Sequence, residues 1–202
     1  MSRSEVTMPT VLTLARLIIS PLILPLLLVR LLPFNVFWIN GVLALIFVLF
    51  GLTDFLDGYL ARKLKQESRL GGSLDHIADK FLVYSTLVAL LAIGKIYYYW
   101  VVILIGRDFF MMGLRQLALE SGFVVSVSLF GKLKTAVQMA LLAVLIANPY
   151  QMLEISGAPF WNGLELVLLV ATLMMSVISA YVYYLGFMAQ FLPASRSMII
   201  DE

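Results

Sequence analysis

The chain has 202 residues, of which 62% are apolar, carries a formal charge of only +2 and contains no cysteine. A mean hydropathy of +0.99 excludes an ordinary soluble domain. The small net charge gives no basis for nucleic-acid binding, and the absence of thiols excludes disulfides and thiolate metal sites.

Taken in order, the chain reads as an all-α, polytopic integral membrane protein with about six transmembrane helices, forming a single domain over residues 1–202. Residues 1–9 are a short polar start with Arg3 and Glu5. The apolar run that begins near Met8 is too long for a cleaved leader, and residues 10–32 form the first expected span. Pro21 and Pro25 lie inside it, as membrane helices tolerate, and Arg16 near its start needs the interface or a polar cavity. Pro33 and Asn35 mark a turn, and residues 36–53 make a second, uncharged span that leads directly into Asp54. A hydrophilic loop with Lys63, Lys65 and Arg69 is closed by Gly71 and Gly72, and the third span is expected from Ser73 to about Ile93. Gly94 and Lys95 break it, and Tyr97 to Trp100 supply an interfacial aromatic belt. The fourth span, residues 101–119, holds Arg107, Asp108 and Arg115, three charges that mark a functional site by default. After a connector with Ser121 and Gly122, the segment Gly131 to Thr135 precedes a fifth span ending near Ala147. Residues 148–162 read as a loop, and residues 166–195 as an uncharged sixth span.

Six spans place both termini on one side. That side carries Arg3, Arg62, Lys63, Lys65, Arg69, Lys132, Lys134 and Arg196, whereas the other has mainly Lys95 and Arg30. The positive-inside rule makes the first side cytoplasmic.

The acids between residues 54 and 79 carry the chemistry. Asp54, Asp57, Gly58 and Ala61 follow i, i+3, i+4, i+7 spacing and share a helix face, as do Asp75 and Asp79 at i, i+4. Two carboxylates about 4 Å apart at an effective dielectric near 20 repel by roughly 4 kcal/mol, so four converging acids require protons or cations. Two divalent ions balance four carboxylates, and an all-oxygen ligand set suits Mg²⁺ or Mn²⁺. A metal pair of this kind serves displacement at phosphorus. Gly58 and Gly71 offer bare backbone to a close ligand, and Arg62 suits a diphosphate.

The pattern D-x2-D-G-x2-A-R-x8-G-x3-D-x3-D, met at Asp54, Asp57, Gly58, Ala61, Arg62, Gly71, Asp75 and Asp79, resembles the signature of the CDP-alcohol phosphotransferase family of membrane enzymes. The resemblance implies transfer of a phosphatidyl-type group from a CDP-linked donor to an alcohol, with release of CMP. It further implies that Asp54, Asp57, Asp75 and Asp79 hold the metals and that Asp79 is the base for the acceptor hydroxyl. Gly58, Ala61, Arg62 and Gly71, with Ser68 as a helper, would cradle the cytidine diphosphate. A homodimer is implied by the same likeness.

The acceptor must be selected outside this motif. The runs Ile-Gly-Arg107-Asp108-Phe-Phe, Gly-Leu-Arg115-Gln and Gly131-Lys132-Leu-Lys134-Thr135-Ala-Val-Gln138 resemble the branch of the family that uses CDP-diacylglycerol and glycerol 3-phosphate. Arg107, Arg115, Lys132 and Lys134 suit a dianionic phosphate, which glycerol 3-phosphate carries and serine does not. Asp108 departs from the glutamate usual in that branch, and His76 from the frequent proline. The same basic set also fits inositol phosphate. A divalent-cation transporter is the alternative of a different class, but it leaves Gly58, Ala61, Arg62 and Gly71 without a role.

Overall fold

A computed structural model describes residues 21–63, 69–122, 129–150 and 159–200. Every regular element among them is helical. Helix α1 covers residues 21–31 and tightens into a 3-10 turn at Leu32–Phe34. It is followed by α2 (Phe37–Lys63), α3 (Arg69–Ala92), α4 (Tyr98–Glu120), α5 (Leu129–Ala147) and α6 (Pro159–Ile200). The first part of the first expected span, with Arg16, and the 64–68 connection, with Ser68, lie outside the described residues.

The helix ends follow local chemistry. Asn35 adopts the left-handed region (φ 54°) and returns its N–H to the Leu32 carbonyl at 3.0 Å. At the end of α3, Gly94 (φ 74°) donates to Leu91 at 3.0 Å and Lys95 donates to Leu90 at 2.8 Å. This is the paired bond pattern of a Schellman cap, which needs the glycine because a Cβ is strained there. Gly122 (φ 79°) ends α4 in a related way, with its N–H on Leu119. Three boundaries extend beyond the expected ones. Gly71 and Gly72 fall inside α3 instead of closing a loop, in a first turn whose N–H groups have no intrahelical acceptor anyway. Helix α5 starts at Leu129, so Lys132 and Lys134 are helical. Helix α6 opens with Pro159 at a position where its missing N–H costs nothing, and it continues through Pro193.

The chain divides into two compact units. The first comprises Met1–Tyr97 and Leu142–Glu165. Helices α2 and α3 pack together within it, and its buried apolar side chains include Leu24 and Leu28, Leu43 and Phe47, Leu87 and Leu90, and Leu142 and Ile146, pairs spaced for one helix face. It also contains a buried polar knot. The Lys95 ammonium donates to the carbonyls of Asn148 and Tyr150, beyond the C-terminus of α5. Asn148 Nδ2 donates to Glu165 Oε1 at 2.6 Å, and Asn40 Nδ2 reaches the Asn148 carbonyl at 3.4 Å. The second unit comprises Tyr98–Leu141 and Leu166–Glu202. There Leu114 and Ala118 of α4 pack with Tyr183 and Phe187 of α6, flanked by Met111 and Met188.

Helix α6 is polar inside and apolar outside. Glu165, Thr172, Ser176, Ser179 and Tyr183 are buried at steps of three, four and seven, while Val167, Val170, Met174, Val177 and Tyr181 are exposed. Val177 is 68% exposed. In water this inversion would be unstable; lipid favours it, because hydrocarbon accepts the valines and the protein interior satisfies the polar groups. The segment Pro159–Phe191 is long and apolar enough to cross a bilayer, and it is the one described helix that meets that test. Within the described residues, the apolar stretches Pro21–Phe34, Phe37–Thr53, Lys80–Ala92 and Leu133–Ala147 are shorter.

Candidate active site

The acidic motif is carried by two helices that pack on each other. Asp54, Asp57, Gly58, Ala61 and Arg62 lie on the last turns of α2, and Gly71, Asp75 and Asp79 on the first turns of α3. The chain leaves α2 and enters α3 across only the residues 64–68, so both motif halves belong to one end of this helix pair. The backbone therefore carries the expected ligand positions on two helices in contact, with Asp54 and Asp57 at i, i+3 on α2 and Asp75 and Asp79 at i, i+4 on α3. The side chains of residues 54–79 lie outside the described set. Among the described residues no group of three or more His, Cys, Asp or Glu is gathered as for a metal ion. The donor chemistry at the motif positions, four carboxylates without a thiol, fits hard divalent cations.

A second charged cluster lies in the other unit. Lys134 of α5 donates to both carboxylate oxygens of Asp108 of α4, at 2.7 and 2.8 Å. Arg107 Nη1 donates to the same carboxylate at 2.9 Å. The Arg107 guanidinium also reaches α6, with Nε on the Ser176 carbonyl at 3.2 Å and Nη2 on the Ser179 hydroxyl. Asp108 and Lys134 are buried and Arg107 is half-buried. One carboxylate thus holds two cations and joins α4 to α5 directly and to α6 through Arg107. A cation about 4 Å from a carboxylate at an effective dielectric near 20 contributes roughly 4 kcal/mol of attraction, offset by the cost of desolvating both charges.

Of the four expected acceptor-phosphate residues, Arg107 and Lys134 are brought together through Asp108. Arg115 lies seven residues beyond Asp108 on α4, about 10 Å along the axis and on nearly the same face, and is half-buried. Lys132 lies on the first turns of α5, with its side chain outside the described set.

Two participants, and one buried neighbour in sequence, escape a reading based on charge. Ser176 and Ser179 sit in a stretch that registers only as an uncharged span, and Gln138 follows Lys134 by one turn on α5. Gln138 is buried with Nε2 unpartnered, as is the Ser176 hydroxyl. The signal was present in the spacing: Glu165, Thr172, Ser176 and Ser179 mark one polar stripe along an apolar helix.

Comparison with known proteins bears on both clusters. A family model described as CDP-alcohol phosphatidyltransferase matches residues 6–182. A protein of Salmonella choleraesuis (strain SC-B67) named CDP-diacylglycerol–glycerol-3-phosphate 3-phosphatidyltransferase is 36% identical, covering 98% of this chain and 100% of the relative. Proteins of the same name from Salmonella typhimurium and Escherichia coli K12 are each 35% identical over the same extents.

Proposed function

The chain belongs to the CDP-alcohol phosphatidyltransferase family, and from that premise we propose that it transfers the phosphatidyl group of CDP-diacylglycerol to glycerol 3-phosphate. The observation that carries the acceptor is full-length similarity to relatives named for that reaction, joined to the basic cluster around Asp108. In the transfer, the acceptor oxygen forms a bond to the phosphatidyl phosphorus. The bond from that phosphorus to the bridging oxygen breaks, and CMP leaves with the electron pair.

Asp54, Asp57, Asp75 and Asp79 would hold two divalent cations, Mg²⁺ or Mn²⁺. Such ions, when bound, supply charge stabilisation at the attacking and leaving oxygens. Gly58, Ala61 and Gly71 admit the donor diphosphate close to the backbone, Arg62 offers it a forked pair of donors, and Ser68 adds a hydroxyl. Asp79 accepts the proton of the acceptor hydroxyl. Arg107, Arg115, Lys132 and Lys134 hold the acceptor's phosphate, which orients its hydroxyl and disfavours uncharged or cationic alcohols.

The same reading makes residues 1–202 one membrane domain of about six spans, with both termini and the acidic site on the cytoplasmic face of the cell membrane. The family match runs across both compact units, which supports the single domain. Helices α2, α4 and α6 each open with aromatic residues in edge contact: Phe37 with Trp38, Tyr98 with Tyr99, and Phe160 with Trp161. Trp38, Tyr98 and Phe160 are well exposed, as residues of an interfacial belt are. The cytoplasmic side of this reading rests on the basic residues Arg62, Lys63, Arg69 and Lys132. Pairing into a homodimer belongs to this reading through the family likeness alone.

The test is CMP release from CDP-diacylglycerol by purified protein with Mg²⁺ or Mn²⁺, supplied separately with glycerol 3-phosphate, inositol phosphate, serine or inositol. Release with glycerol 3-phosphate alone, lost in Asp79→Asn and on chelation, is the expected result. Release with another acceptor would overturn the acceptor assignment, and metal flux across vesicles without CMP release would overturn the transferase reading.

A further inference from the structure

We propose that Asp108 of α4 and Ser179 of α6 are positioning residues that hold Lys134 and Arg107 in place to receive the acceptor's phosphate. This rests on the acceptor site proposed above. A lysine ammonium is a point charge on a flexible four-carbon stem, and left alone it would sample many positions. Here both Asp108 oxygens accept from it, so its direction is set by α4. Arg107 is set by three partners. Its Nε and Nη2 are taken by the Ser176 carbonyl and the Ser179 hydroxyl, and Nη1 by Asp108, which leaves two of the five N–H donors of a guanidinium beyond these bonds. Ser179 is itself oriented, because its hydroxyl donates to the Ser176 carbonyl at 3.1 Å and so turns its lone pairs to Arg107.

The surroundings fit a ligand site better than a self-sufficient ion pair. Asp108 accepts from both Arg107 and Lys134, and Arg107 keeps donors beyond its three bonds. The unpartnered Ser176 Oγ and Gln138 Nε2 lie on the same two elements. Buried polar groups are nearly always satisfied, so such orphans are expected of walls that meet a polar ligand.

An opposite role makes an opposite expectation. If Asp108 merely competed with the acceptor for the two cations, its neutralisation would tighten acceptor binding. The test is steady-state CMP release by wild type, Asp108→Asn, Asp108→Glu and Ser179→Ala, varying glycerol 3-phosphate and CDP-diacylglycerol in turn, with melting temperature read on the same samples. Asp108→Asn is expected to raise the acceptor KM roughly tenfold to a hundredfold, the loss of a charge-assisted contact, with the donor KM unchanged. Asp108→Glu, which keeps the charge, should restore most of it. Ser179→Ala should raise the acceptor KM roughly threefold to tenfold, and it carries the test if Asp108→Asn does not fold. A lowered acceptor KM, no change in any variant, or parallel loss of both KM values with the melting temperature would each overturn the inference. Wild-type protein inactive with glycerol 3-phosphate would instead sink the acceptor assignment, and this inference with it.

Discussion

Removing the Lys95 ammonium should loosen the first compact unit without touching the chemistry. Lys95 is 4% exposed, and its ammonium donates to the carbonyls of Asn148 and Tyr150, where α5 has ended and its last carbonyls have no helical donors. Asn148 in turn bonds Glu165, and Asn40 of α2 donates to the Asn148 carbonyl, so one lysine fastens the α3–α4 connection to the α5–α6 connection and, through Asn148, to α2. Lys95→Met keeps the length and apolar stem but deletes both bonds. Each hydrogen bond from a charged donor is worth about 1.5–3 kcal/mol, so losing both costs about 3–6 kcal/mol. For a chain of this size that is a fall in melting temperature of about 6–24 °C, at about 2–4 °C per kcal/mol. The assay is thermal unfolding of the purified protein in detergent, with Glu165→Gln and the double variant completing a cycle. A coupling of at least about 0.5 kcal/mol is expected, because the two side chains share Asn148. The KM values for donor and acceptor should stay at wild-type levels, since Asn40 lies fourteen residues before Asp54 on α2, about 20 Å along the helix. A Lys95→Met protein that melts with wild type, or additive effects in the cycle, would refute the reasoning.

Two further substitutions probe the fold. Val177 lies near the middle of the Pro159–Phe191 segment and is largely exposed, so Val177→Lys should cost about 2.5–3.5 kcal/mol of membrane insertion and deplete the protein from the membrane fraction. On a water-exposed face the same change would be nearly neutral, and unchanged membrane yield would contradict the lipid-facing assignment. Gly94→Val forces a β-branched residue into the left-handed region at the α3 cap and should destabilise by about 1–2 kcal/mol. Gly41→Ala, inside α2 where no atom lies within 4 Å of an added Cβ, should stabilise by about 0.5–1 kcal/mol. Melting temperatures moving in the same direction for both glycines would contradict the helix and cap geometry.

The sequence by itself determined the membrane class, the helical content, most helix ends and the motif positions. Asn35, Gly94 and Gly122 stop helices through their own backbone preferences, and these act within a few residues, so no tertiary information is needed to find them. The spacing of Asp54, Asp57, Asp75 and Asp79 is likewise a local property of two consecutive helices. Helix continuation was less legible. Gly71, Gly72 and Pro193 are individually poor helix residues, yet they are helical.

What only the tertiary structure decided is who partners whom across long stretches of chain. Arg107, Asp108 and Lys134 were visible as charges, but their joining on one carboxylate requires α5 to lie against α4, and nothing in a span of 26 residues specifies that locally. Ser176 and Ser179 carry no charge and stand about 70 residues from Arg107, so their part became evident only when α6 was seen beside it. Lys95 read as an interfacial break, and its burial on the Asn148 and Tyr150 carbonyls depends on two loops meeting. The physical reason is common to all three. Backbone conformation is decided by neighbours in sequence, whereas a buried charge or hydroxyl is satisfied by whichever partner the packed helices bring within about 3 Å.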